Sequence, residues 1–292
     1  MNPTPASSEL ISVPMDEVDE GALIECFNES FDGYVAGSVR LDASTWPVFL
    51  RRQGIDAAIS RVALAQGAPV AFAFVSDRRA HIGHEGAMRR VTRLCTMGAV
   101  PPWRGRGAAR VLLDESISRA RERGSQCIEL EVFAQNPRAM SLYVSRGFET
   151  QAELFGYERE CTPPLAGTAH VEALTREAAA DWLDAQAADL PFQQSGAALR
   201  GLAAPLQCAR SGEALLAWSL PHPEGQPLVR LVHAPAHAAD ALRALLHPLC
   251  ERFPHATLKL PALVAPHAGG FALESLGFRR QALHQHLMRR GL

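Results

Sequence analysis

Residues Ala99–Leu113 read AVPPWRGRGAARVLL, and further on Ile128–Glu149 read IELEVFAQNPRAMSLYVSRGFE. The first run follows a strand-like segment, Val91–Val100. Its tail carries Ala109, Leu112, Leu113, Ile117 and Ala120 at helical spacing, with Arg110, Asp114, Arg119 and Glu122 off that stripe. Strand, glycine turn and helix therefore follow one another without a gap. Glycines at 105 and 107 let the backbone curl so that successive N–H groups face one concavity where the helix begins. The positive end of the helix and the flanking arginines make that concavity an anion site of the kind a pyrophosphate fits, although a glycine pair before a helix also occurs with no ligand. The spacing is neither GxxxxGK[ST] nor GxGxxG. In the second run, Cys127–Phe133 alternates as a strand, with Ile128, Leu130 and Val132 on one face and Glu129 and Glu131 on the other. Asn136 followed by Pro137 is an N-cap with proline at the first helical position, and Gly147 stops the helix.

Outward from this stretch, the first part of the chain reads as a strand at Leu10–Val13 and helices at Asp19–Ser30 and Thr45–Gln53. Strands at Arg61–Ala65 and Pro69–Val75 then turn at Gln66-Gly67. A polar hairpin, Ser76–Leu94, carries Arg78, Arg79, Arg89, Arg90 and Arg93 against Asp77 and Glu85. It reads as a solvated, mobile hairpin or as a clamp for an anion. Pro and Gly cluster at Cys161–Thr168, CTPPLAGT, and the chain of 292 residues is long enough for two domains of roughly 140 residues. The expected division is 1–160, a linker at 161–168, and 169–292.

The second part repeats the order of the first. Leu228–His233 reads as a strand, Ala238–Phe253 as an apolar-striped helix and Thr257–Leu260 as a strand. Ser275-Leu276-Gly277-Phe278 then repeats Ser145-Arg146-Gly147-Phe148. The two parts read as copies of one α/β fold, each a twisted mixed sheet flanked by helices.

Net charge is -2, which leaves no basic excess to neutralise a nucleic-acid backbone. No window is apolar enough to span a membrane, and Met1–Pro14 lacks a positive leader, so a cytoplasmic protein without membrane or nucleic-acid partners is expected. Six widely spaced cysteines fit buried thiols in a reducing compartment. His81 with His84 and His284 with His286 are pairs without the third ligand a zinc site needs, so no metal is expected. Lys259 is the only lysine among 29 Lys and Arg residues, which reads first as coding bias.

Arg104-Gly105-Arg106-Gly107-Ala108-Ala109 resembles the R/Q-x-x-G-x-G/A signature of the GNAT superfamily of N-acetyltransferases. Val100-Pro101-Pro102 before it and the LEV, N, A and LYxxxGF pattern within Ile128–Glu149 are similar to the same family, and the resemblance covers about Leu10–Glu160. It implies an enzyme that binds acetyl-CoA as co-substrate and acetylates an amine acceptor, a small molecule or peptide, by direct attack in a ternary complex. Backbone amides of Arg104, Gly105, Arg106, Gly107, Ala108, Ala109, Arg110, Val111 and Leu112 would then hold the pyrophosphate. Met97, Ala99 and Val100 would lie beside the pantetheine arm, where a strand N–H polarises the thioester carbonyl. Asn136 would contact the CoA arm as well as cap its helix. Tyr143 matches the family's general acid, which protonates the departing thiolate, and is equally a candidate core aromatic. Glu131 matches the glutamate base of one branch of the family, although glutamate also sits here for packing, and Glu129 or a water relay are alternatives. Asp32 and Tyr34 fall where the family lines its acceptor pocket.

The second part departs from the pattern where the chemistry would be. No glycine occurs between Gln226 and Ala268, and the position of the acid tyrosine holds Leu273. It is expected to be a degenerate copy that binds no CoA and that extends the sheet, shapes the acceptor pocket or supports dimerisation, the chain being a monomer or homodimer. The competing functions are an acyl-CoA-binding regulator without turnover and a transferase of larger acyl groups. Cys95 and Cys127 have no histidine beside them in sequence, so no acyl-enzyme is expected.

Overall fold

The computed structural model describes residues 10–292 apart from 84–86, 163–164, 166–168, 187, 203–204 and 221–226. Most of the expected linker, His84 and Glu85 lie outside these residues. Elements of the first half are β1 (Leu10–Pro14), α1 (Glu20–Ser30), α2 (Trp46–Gln53), β2 (Arg61–Ala65), β3 (Ala68–Ile82), β4 (Ala87–Ala99), α3 (Ala108–Glu122), β5 (Cys127–Phe133), α4 (Pro137–Val144) and β6 (Glu149–Glu160). The second half runs β7 (Glu172–Leu174), α5 (Arg176–Ala185), α6 (Gly196–Arg200), β8 (Gln207–Ser211), β9 (Ala214–Ser219), β10 (Leu228–His233), α7 (Ala239–Arg252), β11 (Thr257–Val264), α8 (Phe271–Ser275) and β12 (Arg279–Gly291). The two lists match element for element.

Local signals act as the sequence implies. The Asp19 carboxylate accepts from the Ala22 N–H at 2.9 Å and starts α1, and Asn136 Oδ1 accepts from the Ala139 N–H at 3.2 Å and starts α4. Phe27, Trp46, Phe72 and Phe74 pack as one aromatic group between α1, α2 and β3, each at most 2% exposed. Burying a ring of this size contributes about 2–3 kcal/mol.

The sheets hold a feature that no local pattern announces. The larger has the order β1-β2-β3-β4-β5-β12-β6-β11, and the smaller β10-β9-β8-β7. The last strand of the chain, β12, lies between β5 and β6, pairing antiparallel with both. The last strand of the first half, β6, pairs in turn with β11 of the second. The halves thus exchange their final strands, and a cut at 161–168 would separate β12 from β5.

The β3–β4 hairpin is anchored at its base through Arg78 and Arg93, which corrects the reading of those arginines as solvated, while Arg79, Arg89 and Arg90 are exposed as expected. Its strands pair from Ala71↔Ala99 to Ile82↔Ala87. Arg93, 1% exposed, is ion-paired with Glu131 at 2.8 Å. Arg78 is paired with the fully buried Glu129, which also takes Arg289 of β12 at 3.1 Å, and Arg289 is paired with Asp189. Asp189 in turn accepts from the Gly83 N–H at 3.0 Å. Three arginines and three carboxylates therefore tie the hairpin, β5 and β12 to the segment before α6. Burial alone would raise the Asp189 carboxyl, but the hydrogen bonds and charge of Arg289 hold it below the usual carboxylate range.

Candidate active site

β4 and β5 pair in parallel over only three residues, Val91–Arg93 with Cys127–Glu129. Beyond that point the two strands part, and their splayed ends open a cavity of about 730 Å³ roofed by the start of α3 and by α4. The Val100 N–H donates to the Val70 carbonyl at 3.0 Å. N–H groups alternate sides along a strand, so Gly98 also faces β3 while Met97 and Ala99 face the gap. The Ala99 carbonyl, which accepts from Arg104 Nε at 3.2 Å, confirms that orientation. Val100, expected beside the cofactor, is committed to the sheet; the strand donors available to the cavity are those of Met97 and Ala99.

The glycine turn forms as its sequence requires. Gly105 has φ +80° and Gly107 φ +93°, backbone conformations that cost any residue with a Cβ. Val111 is the first residue of α3 whose N–H is bonded inside the helix, to the Gly107 carbonyl at 3.0 Å. The N–H groups of Ala108, Ala109 and Arg110 precede that first bond and have no partner within the helix. Val111 and Leu112 therefore do not belong with the anion donors. Val111 is 51% exposed, Leu112 is fully buried, and Ala108 has only its backbone to offer because its side chain is buried.

The arginines divide by what already holds them. Arg104 spans the turn, donating to Ala99 and to the Ser30 carbonyl at 3.1 Å, and so braces the loop against the end of α1. Arg106 lies over the Trp103 ring at 5.6 Å and does not line the cavity. Arg110 does line it, with Arg138 from the first turn of α4, which reaches over Gly105. Arg138 was missed in the sequence because nothing in the pattern tells an exposed helical arginine from one folded over a neighbouring turn.

At the other end, Asp32, Tyr34, Asn136 and Tyr143 line the cavity together. Asn136 Oδ1 caps α4, and its side chain lies close enough to the Tyr34 hydroxyl to lower that phenol's pKa. Burial, and secondarily the nearby Tyr34, push the Tyr143 phenol well above the usual tyrosine range. Tyr143 is only 7% exposed and remains a protonated donor at any physiological pH. Burial also raises the Tyr34 phenol, partly offset by Asn136.

Glu131 lies elsewhere. Its side chain is 3% exposed, is held by Arg93 at 2.8 Å, and does not line the cavity. Glu129 is fully buried between Arg78 and Arg289. The thiols are likewise poor nucleophiles: burial pushes Cys127 up to about 11 and Cys26 up to about 12, and raises Cys95.

In the second half, the described residues of the matching elements carry no comparable site. The residue before α7 is Ala238, with φ -86°, and Ala234, Ala238, Leu242 and Leu273 are buried together in the hydrophobic core around β11 and α7. Among the described residues no helix is long and apolar enough to cross a membrane.

Residues 22–148 match the family model described as Acetyltransferase (GNAT) family. No curated protein sequence matches the chain. Among solved structures, a GCN5-related N-acetyltransferase from Kribbella flavida superposes with a TM-score of 0.69 at 18% identity, covering 99% of this chain and 73% of that one. A tandem GNAT protein from the clavulanic acid biosynthesis pathway gives 0.62 at 13% identity, covering 97% of this chain and 98% of that one. Eis1 from Mycobacterium abscessus gives 0.56 at 13% identity, covering 85% and 70%. At such identities the likeness is one of fold.

Proposed function

From the premise that the chain carries a GNAT acetyltransferase domain over residues 22–148, we propose that it is an acetyl-CoA-dependent N-acetyltransferase acting on a primary amine of a small molecule or peptide. The observation that carries the reading is one cavity with the glycine turn and the unpaired N–H groups at the start of α3 at one end and the buried Tyr143 phenol at the other. The pyrophosphate lies on the N–H groups of Gly107–Arg110, with Arg110 and Arg138 beside it. The thioester carbonyl lies against the strand N–H groups of Met97 or Ala99, which stabilise the oxyanion as the amine attacks. Tyr143 gives its proton to the departing thiolate. Asp32, exposed at the cavity rim, attracts the cationic acceptor, and Tyr34 lines the cavity beside Asn136 and Tyr143. The amine's proton leaves to water in the cleft, because Glu131 is engaged by Arg93 and lies outside the cavity. No acyl-enzyme forms, and the second half supplies β12 to the sheet rather than a second site.

The test is thiol release from acetyl-CoA in the presence of polyamines, aminoglycosides and peptides with free N-termini. Release that depends on adding an amine supports the reading. CoA binding without release under every acceptor would favour an acyl-CoA-binding regulator, and faster release from longer acyl-CoAs would favour a larger acyl group.

A further inference from the structure

His284 and His286 are two residues apart on β12, so both side chains leave the same face of the sheet. In sequence they lack a third ligand. The strand exchange supplies one: β6 runs beside β12, and Glu153 is the register partner of His286. One ligand atom from each of Glu153, His284 and His286 lies within 4.8 Å of the others.

The donor chemistry is already arranged. His284 Nδ1 is 2.9 Å from the Ala282 carbonyl, which only accepts, and a longer 3.3 Å from the Gln135 amide nitrogen, so the shorter contact favours the tautomer with the proton on Nδ1 and the lone pair on Nε2. That Nε2 is 3.6 Å from Glu153 Oε1. Ligand atoms on a tetrahedral zinc with bonds of about 2.0–2.1 Å lie about 3.4 Å apart, so this edge is nearly at its final length. The backbone carbonyl that orients His284 is the outer partner a metal-bound imidazole usually has. His286 Nδ1 is buried and has no hydrogen-bond partner, a cost that a bound cation would remove. Glu153 is half exposed, with a side chain free to close the remaining distance.

We propose that Glu153, His284 and His286 form a binding site for a divalent transition metal of the zinc class, with a fourth position open to water. Two imidazoles and one carboxylate suit zinc over magnesium or calcium, which take oxygen donors. The site joins the exchanged strands, one from each half, so the metal pins the exchange. It is also one side chain from the cleft, because Gln135, which lines the cavity, donates to the same Ala282 carbonyl at 2.9 Å.

The test uses the untagged full chain, stripped with a chelator, desalted and titrated with ZnCl2 in competition with a chromophoric zinc indicator. One zinc per chain is expected, and CoCl2 should give the visible absorption of a four-coordinate N/O site. His284→Ala/His286→Ala should lose zinc affinity by at least about 100-fold while binding CoA as before, which shows that the variant is folded. If the double variant does not fold, Glu153→Gln serves instead: its half-exposed position preserves the sheet, and it should weaken zinc by about 10-fold or more. Absence of stoichiometric zinc in the native chain, leaving a plain His284–Glu153 contact, would overturn the proposal. So would zinc retained with unchanged affinity in either variant, which would place it elsewhere on the chain.

Discussion

The halves of this chain follow one order of elements and differ where chemistry is at stake. In the first, β4 and β5 pair over three residues and then part around a cavity. The helix that follows β4 begins at a glycine with φ +93°, and a tyrosine looks into the gap. In the second, α7 begins at an alanine of ordinary backbone conformation, and Leu273 occupies the tyrosine's place in a closed apolar core. A fold of this kind does not by itself make a site. The site depends on a few residues that hold the strands apart and leave N–H groups unpaired, and replacing them with alanine and leucine turns the same framework into a structural partner.

The largest effect that could break this comparison is at Tyr143. Tyr143→Phe keeps the ring and removes the proton, so kcat should fall on the order of 10²–10⁴-fold with little change in the KM for acetyl-CoA. An unchanged kcat would leave Tyr143 as a core side chain, as Leu273 is. Next is the charge network that binds the halves. Arg289→Met leaves Glu129, fully buried, with one partner in place of two and frees Asp189, and the loss should be about 3–5 kcal/mol in urea unfolding. A change under about 1 kcal/mol would mean that the halves are held by the exchanged strands alone. The network also sets an acid limit. Asp189 is held below its unfolded value of about 3.9, so the stability it lends is complete above that pH and is lost as pH falls through the lower folded value. Thermal unfolding from pH 6 to pH 3 should show that loss below about pH 4, and Asp189→Asn should flatten it.

Smaller effects sharpen the account. Asp32→Asn should raise the KM for a cationic acceptor several-fold without altering acetyl-CoA binding, by removing a rim charge. Leu273→Tyr should restore nothing, because the second half lacks the glycine turn as well as the tyrosine, and the expected change in turnover is none.

Much of the fold was legible because its signals are local. Asp19, Asn136-Pro137, Gln66-Gly67 and the stripe on α3 each fix an element within a few residues of themselves, and Gly105 and Gly107 announced their left-handed turn in the same way. The exchange of β6 and β12 was not legible, since strand partners are chosen by sheet register across more than 100 residues, and either strand suits either neighbour by composition. The same distance hid the roles of individual residues. Alternation put Glu129 and Glu131 on one face, but only the folded hairpin shows Arg78 and Arg93 waiting for them. Likewise the sequence pointed to Arg104 as an anion ligand, whereas the fold uses it as a brace and brings Arg138 over the turn instead.

The most direct test of the central claim, that one half alone holds the cofactor, is calorimetric titration of the full chain with CoA alongside Gly107→Val. The account predicts one CoA per chain, with affinity falling at least about tenfold in the variant because a β-branched residue cannot hold the left-handed turn. Two CoA per chain, or one bound as tightly after the substitution, would contradict it.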